Sequence, residues 1–523
     1  MKNIVYKIKS ISAVALCALF AGACTSNFED INQEYGRPNE DQISQGNFKL
    51  GAFFPQMINY AYPAQENAYQ MGQNLVSDPY ARYLSIANTW DTNFSIFNSP
   101  DNWLNVPFED AYSKVYGGLI QVRNLTKDDP TKDFLWAWAQ IIRITATQRM
   151  TDMYGPVPYT KALDGGVANE YDSQETVYKS MFTDLDNAID VLGKFVKENP
   201  GYRDMARFDR VYASDFSKWL KYANSLKLRM AMRVVNADPE LAKTKAEEAL
   251  ASEYGLIESN TENALNPFPV NPIWIMTVAW GDSRVSAEII SYMKGYNDPR
   301  LDKLFTKSSF KDKTSDFVGL RVGIKIPSKE WASSYSSTTY KEKDPVNWLT
   351  ASEVAFIKAE AALRGWKVNG TPQNLYEEGV RLSFAQWNVD GSDAYLNDAE
   401  SLPADYVDPN SKDNAAENKS EITVKWDESA DFETKLERII TQKWLALYPL
   451  GMEGWSEHRR TGYPYFFPNV VNEGKDEDSK ILYAERIPYP PREAQNNSAN
   501  YNKALQLLGG PDRYGTKLWW AKK

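Results

Sequence analysis

Apolar side chains recur at helical spacing along most of the chain, whereas alternating strand patterns are scarce. Phe134, Trp138 and Ile141 predict a helix from Asp133 that ends near residue 154, because Pro156 cannot continue it. Further helices are predicted over residues 214–235, from 239 onward, and over 352–363, 373–387 and 433–448, with Ser214 or Asp215, Asp238 and Ser352 as caps. The pattern therefore predicts a mainly α fold.

Alanine is frequent in the predicted helix 352–363, and small side chains let helices approach each other closely. The next predicted helix, 373–387, would pack against it as an antiparallel partner. Such pairs resemble tetratricopeptide units, although the strict period of about 34 residues that defines those units is absent. A plain helical bundle would produce much of the same pattern, so both arrangements stay open.

Long segments with little periodicity lie between the helical blocks, near residues 77–106, 260–348 and 389–431. Loops of this length are usually functional or disordered, and the aromatic and proline content of the first two argues against disorder. The third is acidic and polar. Its residues 408–413 alternate oxygen-bearing side chains as a calcium loop does, but Lys412 stands at a ligand position and the turn glycine is lacking. We therefore predict no metal site.

The N-terminus has the pattern of a bacterial lipoprotein signal peptide. Basic residues precede a short apolar run that ends in small residues directly before Cys24, although Ala21 stands where leucine is usual. Residues 1–23 are predicted to be removed, Cys24 to be lipidated, residues 24–47 to form a tether, and residues 48–523 to form a single domain. An ordinary signal peptide followed by a free thiol is the alternative. The apolar run is too short for a membrane-spanning helix.

Charge and composition exclude several classes of function. The chain has 59 basic and 69 acidic residues, a net charge of −10, which argues against nucleic acid as a partner. Its single histidine, His458, makes Ser-His-Asp chemistry and multi-histidine zinc sites implausible. We therefore predict a binding protein without catalytic residues, cofactor or metal. Aromatic residues make up 13% of the chain and are suited to stacking on sugars or peptides.

Six segments of the chain are distinctive: residues 151–159 (TDMYGPVPY), 219–229 (WLKYANSLKLR), 297–301 (NDPRL), 352–361 (SEVAFIKAEA), 437–444 (ERIITQKW) and 486–490 (RIPYP). In this order, and together with the lipoprotein start, they resemble the SusD/RagB family of nutrient-binding lipoproteins of the Bacteroidetes outer membrane. The resemblance covers nearly the whole chain.

This resemblance implies a SusD-like fold, in which tetratricopeptide-like helix pairs form a scaffold beneath an irregular, loop-rich subdomain. It also implies an outer-membrane protein held by its lipid anchor and facing outside, as the acidic pair Glu29-Asp30 behind Cys24 suggests. The implied partner is a SusC-like, TonB-dependent transporter, to which the protein would deliver a captured oligosaccharide.

The loop aromatics are the candidates for ligand contact, because the tryptophans of the scaffold helices are expected in the core. The predicted ligand-binding residues are Trp90, Trp274, Trp280 and Trp331, with Asn93, Asp282 and Arg284 as partners for hydroxyl groups. Packing within the loops is the competing explanation for each tryptophan. Peptide binding, as in RagB-like proteins, and a non-catalytic scaffold or adhesin are the alternative functions. An anchored glycoside hydrolase is disfavoured, since no catalytic motif accompanies the many carboxylates.

Overall fold

The computed structural model describes residues 47–166, 168–311 and 316–522. The described chain from Leu50 onward belongs to one compact unit. Cys24, the signal segment and the predicted tether up to residue 46 lie outside the described residues. Among those described, no helix combines the length and the apolar content needed to cross a bilayer.

The described part of the chain is mainly helical, and eight helices form its scaffold. Their bounds are α1 (Asp133–Tyr154), α2 (Gln174–Glu198), α3 (Phe216–Arg233), α4 (Pro239–Leu250), α5 (Ala351–Leu363), α6 (Pro372–Gln386), α7 (Phe432–Leu447) and α8 (Gly451–Thr461). Consecutive helices pack as the pairs α1–α2, α3–α4, α5–α6 and α7–α8, and successive pairs meet through α2–α3, α3–α5 and α5–α7. This arrangement confirms the helix-pair scaffold.

Local capping explains where several scaffold helices begin. The Asp215 carboxylate accepts a hydrogen bond from the backbone N–H of Lys218 at 3.3 Å, as predicted for α3. The predicted cap of α5 was wrong. The helix begins at Ala351, and the hydroxyl of Thr350, not that of Ser352, accepts from the N–H of Glu353 at 3.4 Å.

Helices α2 and α8 are not among the helices predicted from the sequence. Helix α2 carries a regular apolar stripe that includes Val177 and Met181, so the pattern was present in the sequence. Helix α8 is different, because charged side chains such as Glu453, Glu457 and Arg460 face the interior. A search for apolar periodicity cannot find a helix whose buried face is ionic.

The core of the scaffold is rich in aromatic rings. The rings of Phe54 and Trp138 stack at a centroid distance of 3.9 Å, and Trp138 meets Trp219 edge-on at 5.8 Å. Trp138, Trp219 and Trp444 are fully buried, as predicted, while Trp136 is partly buried against the same core.

Buried ion pairs tie the scaffold helices together. Arg229 of α3 makes a two-pronged contact with Glu353 of α5, with N–O distances of 2.6 and 2.7 Å. Arg460 of α8 contacts Glu360 of α5 through two distances of 2.7 Å, and it also contacts Glu457 at 2.5 Å. All five side chains are buried, so each charge depends on its partners.

The loop-rich layer contains two short antiparallel strand pairs. Strand β1 (Leu84–Ile86) pairs with β3 (Ser283–Val285), and β2 (Ala264–Asn266) pairs with β4 (Val346–Leu349). A second, smaller apolar cluster packs beneath these loops and is formed by Ala87, Ala287, Val318, Leu320, Ile324, Ala332, Tyr335, Tyr406 and Phe467. The loops therefore have a core of their own.

Shorter helices complete the described elements. The α-helical segments are Phe48–Gly51, Phe54–Ala61, Glu66–Tyr69, Ser77–Tyr80, Asp101–Asp110, Gly117–Thr126, Pro272–Trp274, Ala287–Gly295, Leu301–Leu304, Lys329–Ala332, Ser392–Leu396, Pro491–Asn496 and Ser498–Leu508. Turns of π-helix occupy Gln70–Asn74, Ala111–Tyr116 and Ile275–Ala279, and 3-10 turns occupy Phe94–Ile96, Pro130–Lys132, Ala206–Phe208, Asn260–Glu262, Lys412–Asn414 and Asp476–Lys480.

Candidate ligand-binding site

A pocket of about 270 Å³ opens in the loop layer between residues 86–96 and residues 324–327. We call it the Trp90 pocket. Trp90 lines it and is partly exposed, and its ring meets that of Trp103 edge-on at 5.3 Å. Because Trp103 supports it from the adjoining helix, the Trp90 ring is held in place before any ligand arrives.

The turn that follows Trp90 is shaped by Asn93. Its side-chain N–H donates to the Trp90 carbonyl at 3.0 Å, and its amide oxygen accepts from the Ser95 hydroxyl at 2.7 Å. The turn ends at Phe97, whose φ of 61° is left-handed. Asn93 is buried and lines the pocket, so it both shapes the turn and faces the site.

Asp282 joins three separate segments at one side of the pocket. Its carboxylate accepts hydrogen bonds from the Asn88 amide at 2.9 Å, the Gln70 amide at 3.1 Å and the Lys329 ammonium at 2.5 Å. Asp282 is buried and Lys329 is partly exposed. Asp282, which was predicted as a partner for sugar hydroxyl groups, therefore holds Asn88 and Lys329 in place beside the pocket. We call Asp282 with these two residues the clamp.

Arg284 and Trp331 lie next to this clamp. The Arg284 guanidinium donates to the carbonyls of Ala332 and Thr277, each at 3.3 Å, and burial lowers its pKa. Gly281 has a φ of 67°, and a Cβ atom there would lie 3.8 Å from both Arg284 and Lys329. Trp331 is partly exposed and packs on Tyr335 at 5.3 Å.

The two remaining predicted tryptophans differ in exposure. Trp280, after the π-helical turn, is 42% exposed, and its neighbour Val278 is 48% exposed. Trp274 packs against the main core and does not line the Trp90 pocket. Of the predicted residues, Trp90 and Asn93 line the Trp90 pocket and Asp282 bonds to the lining residue Asn88, whereas Trp274, Trp280, Arg284 and Trp331 are not among its lining residues.

Sequence reasoning missed Asn88, Lys325 and Lys329, which line or border the pocket. Lys325 and Lys329 lie in loop segments already selected for their aromatic residues, but nothing local marks a lysine as a partner of Asp282. Only the fold brings the two together.

In the loop with the partial calcium pattern, the first carboxylate is hydrogen-bonded. The Asp408 carboxylate accepts from the hydroxyls of Tyr335 and Tyr406, at 2.8 and 3.2 Å, and from the Asn414 amide at 3.0 Å. Across residues 47–166, 168–311 and 316–522, no group of three or more His, Cys, Asp or Glu side chains is arranged to hold a metal ion.

The family model "SusD-like: Susd and RagB outer membrane lipoprotein" matches residues 30–521. The chain belongs to this SusD-like family. No curated protein gives a match.

Solved structures agree with this assignment. A SusD homolog from Bacteroides uniformis is 40% identical with a TM-score of 0.85, and the match covers 91% of this chain and 100% of that one. A chitin-binding SusD homolog from Flavobacterium johnsoniae is 35% identical with a TM-score of 0.86, covering 91% and 99%. A homolog from Bacteroides thetaiotaomicron is 39% identical with a TM-score of 0.84 and the same coverage.

Proposed function

We propose that this protein captures an oligosaccharide at the cell surface and delivers it to a SusC-like, TonB-dependent transporter in the outer membrane. The observation that carries the proposal is the Trp90 pocket, where a supported aromatic ring and Asn93 share a lining with Asn88, which bonds to Asp282 of the Asp282–Lys329 ion pair. Sugars present apolar faces and hydroxyl groups, and this combination of aromatic, amide and charged groups can meet both.

The family supports binding rather than catalysis as the role of this site. One solved relative is described as chitin-binding, which makes a glycan the first ligand to test. In our proposal the site holds the sugar and carries out no bond cleavage.

The proposed attachment to the membrane is through Cys24, which lies outside the described residues. Acyl chains at that position would hold the protein stably at the outer membrane. Mass spectrometry of the membrane-extracted N-terminal peptide should find lipid on Cys24, and Cys24→Ser should release the protein from the membrane fraction. A wild-type protein that is processed at another residue would refute this attachment.

Calorimetry with the soluble chain from Thr25 onward, against a panel of oligosaccharides and peptides, tests the ligand class. We expect one glycan class to bind without release of product, and Trp90→Ala to weaken it about tenfold or more, because a stacking face is lost. Trp366→Ala is the matched control, since Trp366 is a partly exposed tryptophan on the α5–α6 connection.

Three other results would each change the proposal. Binding of peptides alone would move the protein to the RagB-like alternative. Absence of binding across the panel, with a protein partner still recovered from membranes, would favour a scaffold or adhesin. Equal effects of Trp90→Ala and Trp366→Ala would place the site elsewhere.

A further inference from the structure

We propose that a second pocket continues the Trp90 pocket and binds a distal part of the same oligosaccharide, an inference that rests on the proposed function. This second pocket has a volume of about 560 Å³ and is formed by residues 97–104, 475–478, 488–501 and 512–514. We call it the Tyr501 pocket. It would make the ligand a chain of several sugar units rather than a short fragment.

The floor of the Tyr501 pocket is aromatic. Phe97, Tyr489 and Tyr514 are buried there, while Tyr501 is partly exposed. The Tyr501 hydroxyl donates to Asp512 at 3.0 Å, and its ring meets Tyr489 edge-on at 6.1 Å. Because these contacts fix the Tyr501 ring, a sugar that stacks on it would cost little side-chain entropy.

Buried and exposed polar groups have different roles in this pocket. Asp512 accepts from the Arg486 guanidinium at 2.6 Å and from the Tyr489 N–H at 2.9 Å, so its carboxylate holds the walls together. Asp101 and Gln495 are exposed at the rim. A carboxylate and an amide at the edge of an aromatic floor can bond sugar hydroxyls.

One short turn forms a wall of both pockets. Asn93, Ser95 and Ile96 line the Trp90 pocket, and the next residues, Phe97 and Asn98, line the Tyr501 pocket. A β-bridge between Asn93 and Asn98 closes this turn. The two pockets are therefore separated only by this turn, and the proposal requires an extended ligand to cross it.

A polar rim also connects the pockets. Lys325 borders the Trp90 pocket and pairs with Glu473 at 2.7 Å. The other oxygen of Glu473 accepts from the Asn98 amide, at the edge of the Tyr501 pocket, at 3.3 Å. Lys325, Glu473 and Asn98 thus offer a row of hydrogen-bonding groups between the two aromatic surfaces.

Size gives an independent reason for the extension. The Trp90 pocket, at about 270 Å³, is slightly smaller than the roughly 300–1,000 Å³ that ligand pockets usually occupy. The Tyr501 pocket lies well within that range at about 560 Å³. The two pockets together have room for an extended oligosaccharide, whereas the Trp90 pocket alone is small even for a compact ligand.

The test is calorimetry with a series of oligosaccharides of increasing length, taken from the class that binds. We expect wild-type affinity to rise with length, and Tyr501→Ala to weaken the longest ligand about tenfold while leaving the shortest unchanged. Tyr501→Phe, which keeps the ring, should retain most of the affinity for the longest ligand. Trp90→Ala should weaken every length. The matched control is Tyr60→Ala, since Tyr60 is partly exposed and lines neither pocket.

The possible failures are distinguishable. If short ligands bind through Trp90 but the affinity does not rise with length, or if Tyr501→Ala leaves the affinity for the longest ligand unchanged, the extension is overturned and the proposed function stands. A wild-type protein that binds no glycan of any length would overturn both. Thermal unfolding of each variant, compared with Tyr60→Ala, identifies any loss that comes from misfolding.

Discussion

The helical scaffold and the loop layer use the same residue types for opposite purposes. In the scaffold, Arg460 and its partners Glu360 and Glu457 are buried, and their charges are paired within the protein. In the loop layer, Asp282 is buried but its partner Lys329 is 40% exposed. The buried pairs orient helices, whereas the loop pair presents a charge to the solvent beside a pocket.

The tryptophans divide in the same way. Trp138 and Trp219 are fully buried in the scaffold, whereas Trp280 in the loops is 42% exposed. Composition alone cannot separate these roles, since both regions are rich in aromatic residues. The comparison predicts that scaffold substitutions mainly lower stability and that loop substitutions mainly lower affinity.

The largest effect is expected where a buried ion pair is broken. Arg460→Met should lower the free energy of unfolding by about 3–5 kcal/mol, because Glu360 and Glu457 keep their buried charges but lose the arginine that bridges them, and each is left with one cationic partner, Arg364 or Lys443. Denaturant unfolding measures this loss. Lys480→Met, which removes an exposed pair with Glu477, is the control and should stay within about 0.5 kcal/mol of wild type. A similar small change in Arg460→Met would contradict the comparison.

An intermediate effect is expected at Asp282. Asp282→Ala should weaken glycan binding about tenfold, because Asn88 and Lys329 lose the carboxylate that holds them beside the pocket. Its cost in unfolding free energy should be about 1–3 kcal/mol. Calorimetry and denaturant unfolding measure the two quantities on one protein.

Asp209→Ala is the matched control for Asp282. Asp209 is also a buried carboxylate, but it accepts from the Trp219 indole at 2.7 Å within the scaffold region. Asp209→Ala should lower the free energy of unfolding and leave the affinity for the glycan unchanged. If both variants lost affinity equally, binding would depend on general stability rather than on the clamp.

The smallest effect is a dependence of stability on pH with two opposing contributions. Burial, aided by nearby Arg82 and Arg459, lowers the pKa of His458 to about 3. Below about pH 6.5 the unfolded chain binds a proton at this histidine, whereas the folded protein leaves it neutral until about pH 3. The contribution of His458 to stability is therefore lost as the pH falls. Burial raises the pKa of Asp78 to about 7, so its contribution is lost as the pH rises from about 4 to 7.

Substitution separates the two contributions. Relative to wild type, His458→Phe should gain stability and Asp78→Asn should lose it as the pH is lowered from about 6.5 to 4, each by at most about 1.4 kcal/mol per pH unit. Denaturant unfolding at several pH values gives the slopes. Parallel slopes in both variants would show that neither group titrates as described.

Sequence reasoning recovered the scaffold where local signals were strong. Helix α3 was predicted to within about two residues because Asp215 caps it and its apolar residues repeat regularly. Helix α8 was missed because its buried face is charged. Sequence periodicity therefore locates helices that bury apolar side chains and overlooks one that buries ion pairs.

The candidate site could be predicted only in part. Aromatic density led to Trp90, which lines the pocket, and to Trp331, which packs on Tyr335 and is not among the lining residues. The partners of Asp282 could not be inferred, since Asn88 lies 194 residues away along the chain and contacts Asp282 only in the folded protein. The scaffold determines which loops meet, and a local sequence pattern carries no information about that pairing.

The short pairing of β1 with β3 has a consequence for the order of folding. Leu84 lies opposite Val285, so two loops separated by about 200 residues meet at this ladder. Helices α1 to α4 lie between them in the chain. Because contacts between distant residues require costly loop closure, we expect this ladder to assemble late, after the intervening helices have shortened the distance. A partly folded chain would then be rich in helix yet unable to hold its ligand.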